Sequence, residues 1–181
     1  MTSRQTDWPR EWLMTDDRMG ERLWSAIDGL REGQAGIVVR HYRLDTAGRG
    51  ELARRIAGIC RERGLTLAVA ADVELARTLG AELVHNPPGP PSGLPFSRSV
   101  HSLDEAEAAR REGAALVFVA PVYPTSSHPG RRALGVSRAR RIAEAAGVPA
   151  IALGGMDALK FARLEREGFY GWAGIDAWLR I

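Results

Sequence analysis

Eight short apolar runs, separated by amphipathic stretches, constrain this 181-residue chain more than any other feature of its sequence. They fall at about 11–15 (EWLMT), 36–41 (GIVVRH), 65–70 (LTLAVA), 82–86 (ELVHN), 96–100 (FSRSV), 115–120 (ALVFVA), 149–153 (PAIAL) and 169–174 (FYGWAG). Most are continuously apolar and do not alternate, as expected of parallel strands covered on both faces. Helical periodicity fills the intervals at about 18–33, 49–63, 72–79, 103–112, 136–146 and 157–167. A glycine closes each of them: Gly33, Gly64, Gly80, Gly113, Gly147 and Gly168, where a left-handed residue ends a helix. This alternation predicts an α/β fold, a small (β/α)8 TIM barrel, with a doubly wound open sheet as the alternative. The segment NPPGPPSGLP at 86–95 is too rich in proline for a helix, so a loop replaces one barrel helix there. Such barrels usually need about 250 residues, so the helices must be trimmed. No linker divides residues 1–181, and a single domain with a core over about 10–176 is expected.

Composition narrows the partners. Hydrophobic residues make up 45% of the chain and charged residues 26%, which is enough apolar material for one core. The net charge is +3, and Lys160 is the only lysine. Arginine grips phosphate in a planar fork, so the balance suits a small anionic ligand. Nucleic acid fits less well, because the arginines are dispersed among acids along the helices. The lone Cys60 shares a helix face with Ile56 and reads as an inert core thiol. No apolar run reaches about eighteen residues, and MTSRQTDWPREW lacks a signal-peptide core, so no membrane partner and a cytoplasmic location are expected. Trp172 and Trp178 fit either a homo-oligomer interface or, more commonly, core.

In a barrel the chemistry sits where strands end. Those ends carry Thr15-Asp16-Asp17, Arg40-His41-Tyr42, Ala71-Asp72, His85-Asn86, His101-Ser102, the loop PVYPTSSHPG, Gly154-Gly155 and Ile175-Asp176. Three of the four histidines lie at strand ends and His128 lies in the sixth loop, a clustering that points to a functional mouth. In IALGGM two glycines let the backbone approach an anion and the next helix start faces it; a tight turn is the plain alternative. Thr125, Ser126 and Ser127 can donate to an oxyanion, and His128 can add charge or move a proton. Arg40 ends an apolar strand and should point into the mouth, or pair with Asp16 or Asp17. Asp17 reads as a helix cap, and SLDE at 102–105 as a capping box.

The ordered set LMTDD, SVHSLDEA, AALVFVAPVYPTSSHPG, IALGGM and GFYGWAGID resembles the thiamine-phosphate synthase and TenI-like family, from about residue 10 to 176. The resemblance implies binding of thiazole phosphate and its Mg2+-dependent coupling to aminopyrimidine diphosphate, with release of pyrophosphate. Arg40 matches the arginine of the family's Q-x-R-x-K strand, which faces the diphosphate. Thr125 and Ser127 match the hydroxyl residues of T-P-T-K, Gly154 and Gly155 match the phosphate-binding glycines, and Ser99 falls near the family's serine. Arg40 and His128 are thereby the catalytic candidates.

The departures lie in one half. Val38 and Tyr42 replace the glutamine and lysine of the second strand, and His128 replaces the lysine of T-P-T-K. Ala70-Ala71 replace an Asn-Asp pair whose acid holds magnesium, and NPPGPP replaces G-Q-x-D. Asp16 and Asp72 are the remaining metal candidates. Three readings follow: a divergent synthase, a metal-independent thiazole tautomerase using His101 or His128, and a phosphate-binding barrel without turnover.

Overall fold

The computed structural model describes residues 7–125, 130 and 132–179. Eight parallel strands close into a barrel in chain order. They are β1 (Glu11–Met14), β2 (Ala35–Val39), β3 (Thr66–Ala70), β4 (Leu83–His85), β5 (Phe96–Val100), β6 (Leu116–Val119), β7 (Ala150–Leu153) and β8 (Gly171–Gly174). Helices α1 (Arg22–Asp28), α2 (Thr46–Arg63), α3 (Val73–Leu79), α4 (Leu103–Glu112), α5 (Val136–Ala146) and α6 (Ala158–Leu164) follow β1, β2, β3, β5, β6 and β7. The chain is therefore the expected α/β TIM barrel. Residues 86–95 join β4 to β5 with no helix, and a short 3-10 turn, Asp176–Leu179, follows β8. The barrel closes where Trp12 of β1 lies opposite both Gly36 of β2 and Ala173 of β8. Because all eight strands are parallel, their carboxyl ends share one rim.

A stack of rings fills the barrel below that rim. The Trp12 indole lies where a Cβ on Gly36 would be, 2.8 Å from its Cδ2, and Trp12 Nε1 donates to the Pro9 carbonyl at 2.7 Å. Phe118 meets Trp12 edge-on at 5.7 Å and His85 edge-on at 5.0 Å. Full burial of a large apolar side chain such as Phe118 is worth about 1.5–3 kcal/mol, so this stack anchors the floor of the mouth. Trp172 and Trp178 stack at 4.9 Å, both buried within the chain, and so belong to its core. Cys60 is also buried; burial first, and the Glu82 charge second, push its thiol up to about 12, so it is unreactive.

Local chemistry sets the helix ends. Asp45 caps α2 by accepting from Gly48 N at 2.7 Å, and Asp157 caps α6 by accepting from Lys160 N at 2.8 Å. Two expectations need correction. The first helix does not run over 18–33: a 3-10 turn at Asp17–Met19 and Gly20 at φ 52° precede α1, which ends at Gly29. Its preceding turn is capped by Asp16 and not by Asp17. Asp16 has the extended backbone a cap requires and accepts from Arg18 N at 3.0 Å, whereas Asp17 is already inside the turn. In SLDE, Ser102 accepts from Glu105 N at 3.2 Å, but the Glu105 carboxylate reaches one residue further back, to His101 N at 2.6 Å. No helix among the described residues is long and apolar enough to cross a membrane.

Candidate active site

The rim opens into a cavity of about 530 Å3. It brings together five sequence-predicted residues: Arg40, Ser99, Thr125, Gly154 and Gly155. His85 and His101 also line it, whereas His41 does not. Ser127 and His128 lie outside the described residues.

The turn after β7 forms one wall. Gly154 (φ +92°) and Gly155 (φ +62°) adopt backbone angles that side chains disfavour, and the loop after β6 presses on both. Val122 N donates to the Leu153 carbonyl at 2.9 Å and Tyr123 N to that of Gly154 at 3.0 Å. A Cβ on Gly154 would lie 2.7 Å from Pro121 Cα; one on Gly155 would lie 2.9 Å from Tyr123 Cβ and closer still to the Pro124 oxygen. Packing alone therefore requires both glycines. The same packing leaves the main-chain N–H groups of Gly155 and Met156 without an acceptor among the described residues. Such paired N–H groups suit an anion. Since α6 has only seven residues, the turn and not the helix supplies them.

Sequence reasoning passed over Lys160, which also lines this wall. Its Nζ lies 2.5 Å from the Gly155 carbonyl and 3.2 Å from Asp157 Oδ2. The signal was present: Asp157 and Lys160 are one helical turn apart, directly after the two glycines. Asp157 and Asp176 also line the mouth, so its charges are of both signs.

Across the cavity the polar groups are bound to one another. His85 is buried, and its Nδ1 lies 3.0 Å from Ser97 Oγ. Its Nε2 lies 3.2 Å from both Ser99 Oγ and Asn86 Nδ2. Burial first, then the charges of Arg40 and Arg98, push its pKa down to about 3, so the ring is neutral in ordinary buffers. Asn86, in a left-handed backbone (φ 49°), places its Oδ1 to accept from Ser99 N at 2.7 Å. His41 Nδ1 lies 3.0 Å from Thr15 Oγ1, which itself accepts from Arg40 N. Burial chiefly lowers the His41 pKa, with Arg49 and Arg40 adding to the effect and Asp17 and Asp16 opposing it.

His101 is the exception in this half. Its Nδ1 donates to the Ala120 carbonyl at 2.6 Å, which fixes the tautomer of a neutral ring and leaves Nε2 as the basic nitrogen. No partner engages that nitrogen among the described residues. Arg40, likewise, forms no ion pair among the described residues; its guanidinium carbon lies 5.9 Å from the Tyr42 ring centre.

The metal candidates do not converge. Asp72 caps α3 by accepting from Leu75 N at 2.9 Å, and Arg49 lies 3.9 Å from its other oxygen. It is held there by a tight turn in which Ala71 has φ 63° and Asp72 N donates back to the Ala70 carbonyl. Asp16 is bound by Arg18 at 2.7 Å; burial works against ionisation, but Arg18 and Arg40 hold its carboxyl below the ordinary range. Neither acid lines the cavity, and no three His, Cys, Asp or Glu side chains gather as a metal site among the described residues. Asp16 and Asp72 therefore do not meet at one ion.

Fold and mouth together define a (β/α)8 barrel with an anion-suited turn after its seventh strand. Comparison with known proteins makes this specific. The family "Thiamine monophosphate synthase" matches residues 93–178. A thiamine-phosphate synthase of Salinispora arenicola is 32% identical over 180 residues, covering 91% of this chain and 86% of its own. One from Geobacillus kaustophilus is 31% identical over 170 residues, covering 84% and 77%. The solved thiamine phosphate pyrophosphorylase of Pyrococcus furiosus superposes with a TM-score of 0.83 at 25% identity, covering 98% of this chain and 90% of that one. The chain belongs to the thiamine-phosphate synthase family, and is a thiamine-phosphate synthase-like protein of thiamine biosynthesis.

Proposed function

We propose that this barrel binds a thiazole phosphate with its phosphate on the Gly154–Gly155 turn, and moves a proton on the thiazole without a metal. The observation that carries this reading is the contrast across the mouth. The turn after β7 offers N–H groups with no acceptor among the described residues, beside an ammonium, while Asp16 and Asp72 are taken up by Arg18, Arg49 and backbone N–H groups. Small phosphorylated substrates suit the family. In this reading Arg40 and the neutral Ser99–His85–Asn86 group border the ring, and Thr125 and Gly154 border the phosphate. His101 Nε2 takes a proton from the sp3 ring carbon of the non-aromatic thiazole tautomer and returns it to the exocyclic side-chain carbon that is double-bonded to the ring, so that this double bond moves into the ring. The ring gains aromaticity and the atoms balance. His128, in the loop after β6, is a second proton carrier in this reading, and Ser127 a further phosphate donor.

A second reading, full coupling to aminopyrimidine diphosphate, is favoured by Arg40, a cation at the mouth with no carboxylate partner among the described residues. Calorimetric titration separates the two. Thiazole phosphate should bind with the same affinity with or without Mg2+, and Mg2+ should add nothing to the diphosphate. Magnesium-dependent diphosphate binding with formation of thiamine phosphate would establish the coupling reading instead. Failure of both ligands to bind would sink both. His101→Gln should abolish aromatisation of the tautomer while leaving thiazole phosphate bound.

A further inference from the structure

The anion-suited turn carries a charge that the family motifs do not include. We infer that Lys160 determines selectivity for a phosphate monoester, and that Asp157 is a resident counterion which the phosphate displaces. This inference rests on the assignment of the phosphate to the Gly154–Gly155 turn.

The geometry begins with the backbone. Lys160 N is fixed by Asp157 Oδ1 at 2.8 Å, so the side chain starts from a defined place at the edge of the cavity. Its ammonium returns over the turn to the Gly155 carbonyl at 2.5 Å, and lies 5.5 Å from the Tyr123 ring centre. An ammonium has three N–H donors. The Gly155 carbonyl takes one and Asp157 Oδ2, at 3.2 Å, a second, so that among the described residues one is left for a ligand. The Gly155 carbonyl thus anchors the cation beside the Gly155 and Met156 N–H groups, which have no acceptor among the described residues.

Asp157 divides its two oxygens between tasks. Oδ1 caps α6, which asparagine can do equally well, and Oδ2 meets the ammonium, which requires no capping geometry. A phosphate oxygen bound to Nζ competes with Oδ2 and not with Oδ1, so the helix start survives the exchange. The ion pair is partly exposed, 42% for Lys160 and 34% for Asp157, so its two groups can part without burying a bare charge. A merely structural Lys160–Asp157 pair would stabilise the helix and leave phosphate recognition unchanged.

The test compares thiazole phosphate with the corresponding unphosphorylated thiazole alcohol by calorimetry, at low and high salt. In Lys160→Met the preference for phosphate over alcohol should fall by about tenfold or more, as befits loss of a charge-assisted hydrogen bond, while affinity for the alcohol stays within about twofold. Lys160→Arg should retain most of the preference. Asp157→Asn keeps the cap and removes the competing charge, so it should tighten phosphate binding several-fold at low salt, and less at high salt. If Lys160→Met keeps the wild-type preference, the lysine is structural and the inference fails while the site assignment stands. If wild type shows no preference for phosphate, the site assignment itself fails and the inference with it. Should Lys160→Met not fold, Asp157→Asn decides alone: unchanged phosphate affinity overturns the exchange.

Discussion

The two walls of one mouth are built on opposite plans. Around β7 the backbone is the functional surface: two glycines are flattened under the Pro121–Pro124 loop, and the N–H groups of Gly155 and Met156 and the Lys160 ammonium gather there. Around β1 to β5 the side chains are plentiful, but nearly all serve one another. Asp16 binds Arg18, Asp72 caps α3, Thr15 meets His41, and His85 is enclosed by Ser97, Ser99 and Asn86. The lesson is that a titratable residue at a barrel rim counts toward chemistry only after its local hydrogen bonds have been assigned. By that measure His101 and Lys160 matter more than the two aspartates.

The contrast can be broken first at the glycine wall. Gly155→Ala forces a Cβ against Tyr123 and the Pro124 carbonyl at a positive φ. It should cost about 2–5 kcal/mol in urea unfolding, from overpacking and left-handed strain together, and thiazole phosphate binding should be lost. A stability change below about 0.5 kcal/mol would show that the loop is not held as described.

Acid titration tests the opposite wall. His85 binds a proton in the unfolded chain near the ordinary imidazole value of 6.5 but in the folded barrel only at about 3. Its depressed pKa means that stability is complete above pH 6.5 and is lost as pH falls toward 3, because the unfolded state takes the proton first. Between pH 6.5 and 4.5 the loss should be about 2 kcal/mol. His85→Gln should flatten that part of the curve; an unchanged slope would mean His85 is not the buried neutral ring.

The capping role of Asp72 predicts a smaller effect. Asp72→Ala should destabilise by about 1 kcal/mol and Asp72→Asn by a few tenths, and neither should alter ligand binding. Were Asp72 a magnesium ligand, both would instead abolish magnesium-dependent affinity for the diphosphate. The smallest effect is expected at Arg40. Arg40→Met should leave thiazole phosphate affinity within about twofold, yet remove any residual binding of aminopyrimidine diphosphate. A large loss of thiazole phosphate binding would place the phosphate on the wrong wall.

Much of this was legible in the linear pattern. All eight strands fall within a residue or two of their apolar runs, because a strand buried on both faces must be apolar throughout. The Pro-rich segment excluded a helix for an equally local reason. The helix starts were less legible: Asp16 and Asp17 differ only in backbone angle, which neighbouring packing decides. At the site, Gly154, Gly155, Thr125 and Arg40 were found by position at strand ends and Ser99 through the family resemblance, and the cavity gathers all five. Lys160 was missed because it lies seven residues beyond its strand end and reaches the mouth only by folding back over Gly155.

The sequence by itself determined the barrel, its missing helix and the rim on which chemistry could sit, because hydrophobic period and proline act over a few residues. Only the tertiary structure decided which polar groups remain available. His101 and His85 read alike in the chain, two histidines at two strand ends. One is turned to the Ala120 carbonyl with its second nitrogen unengaged among the described residues, and the other is sealed between β4 and β5 and stripped of its basicity. That difference comes from long-range contacts and desolvation, which no local pattern encodes.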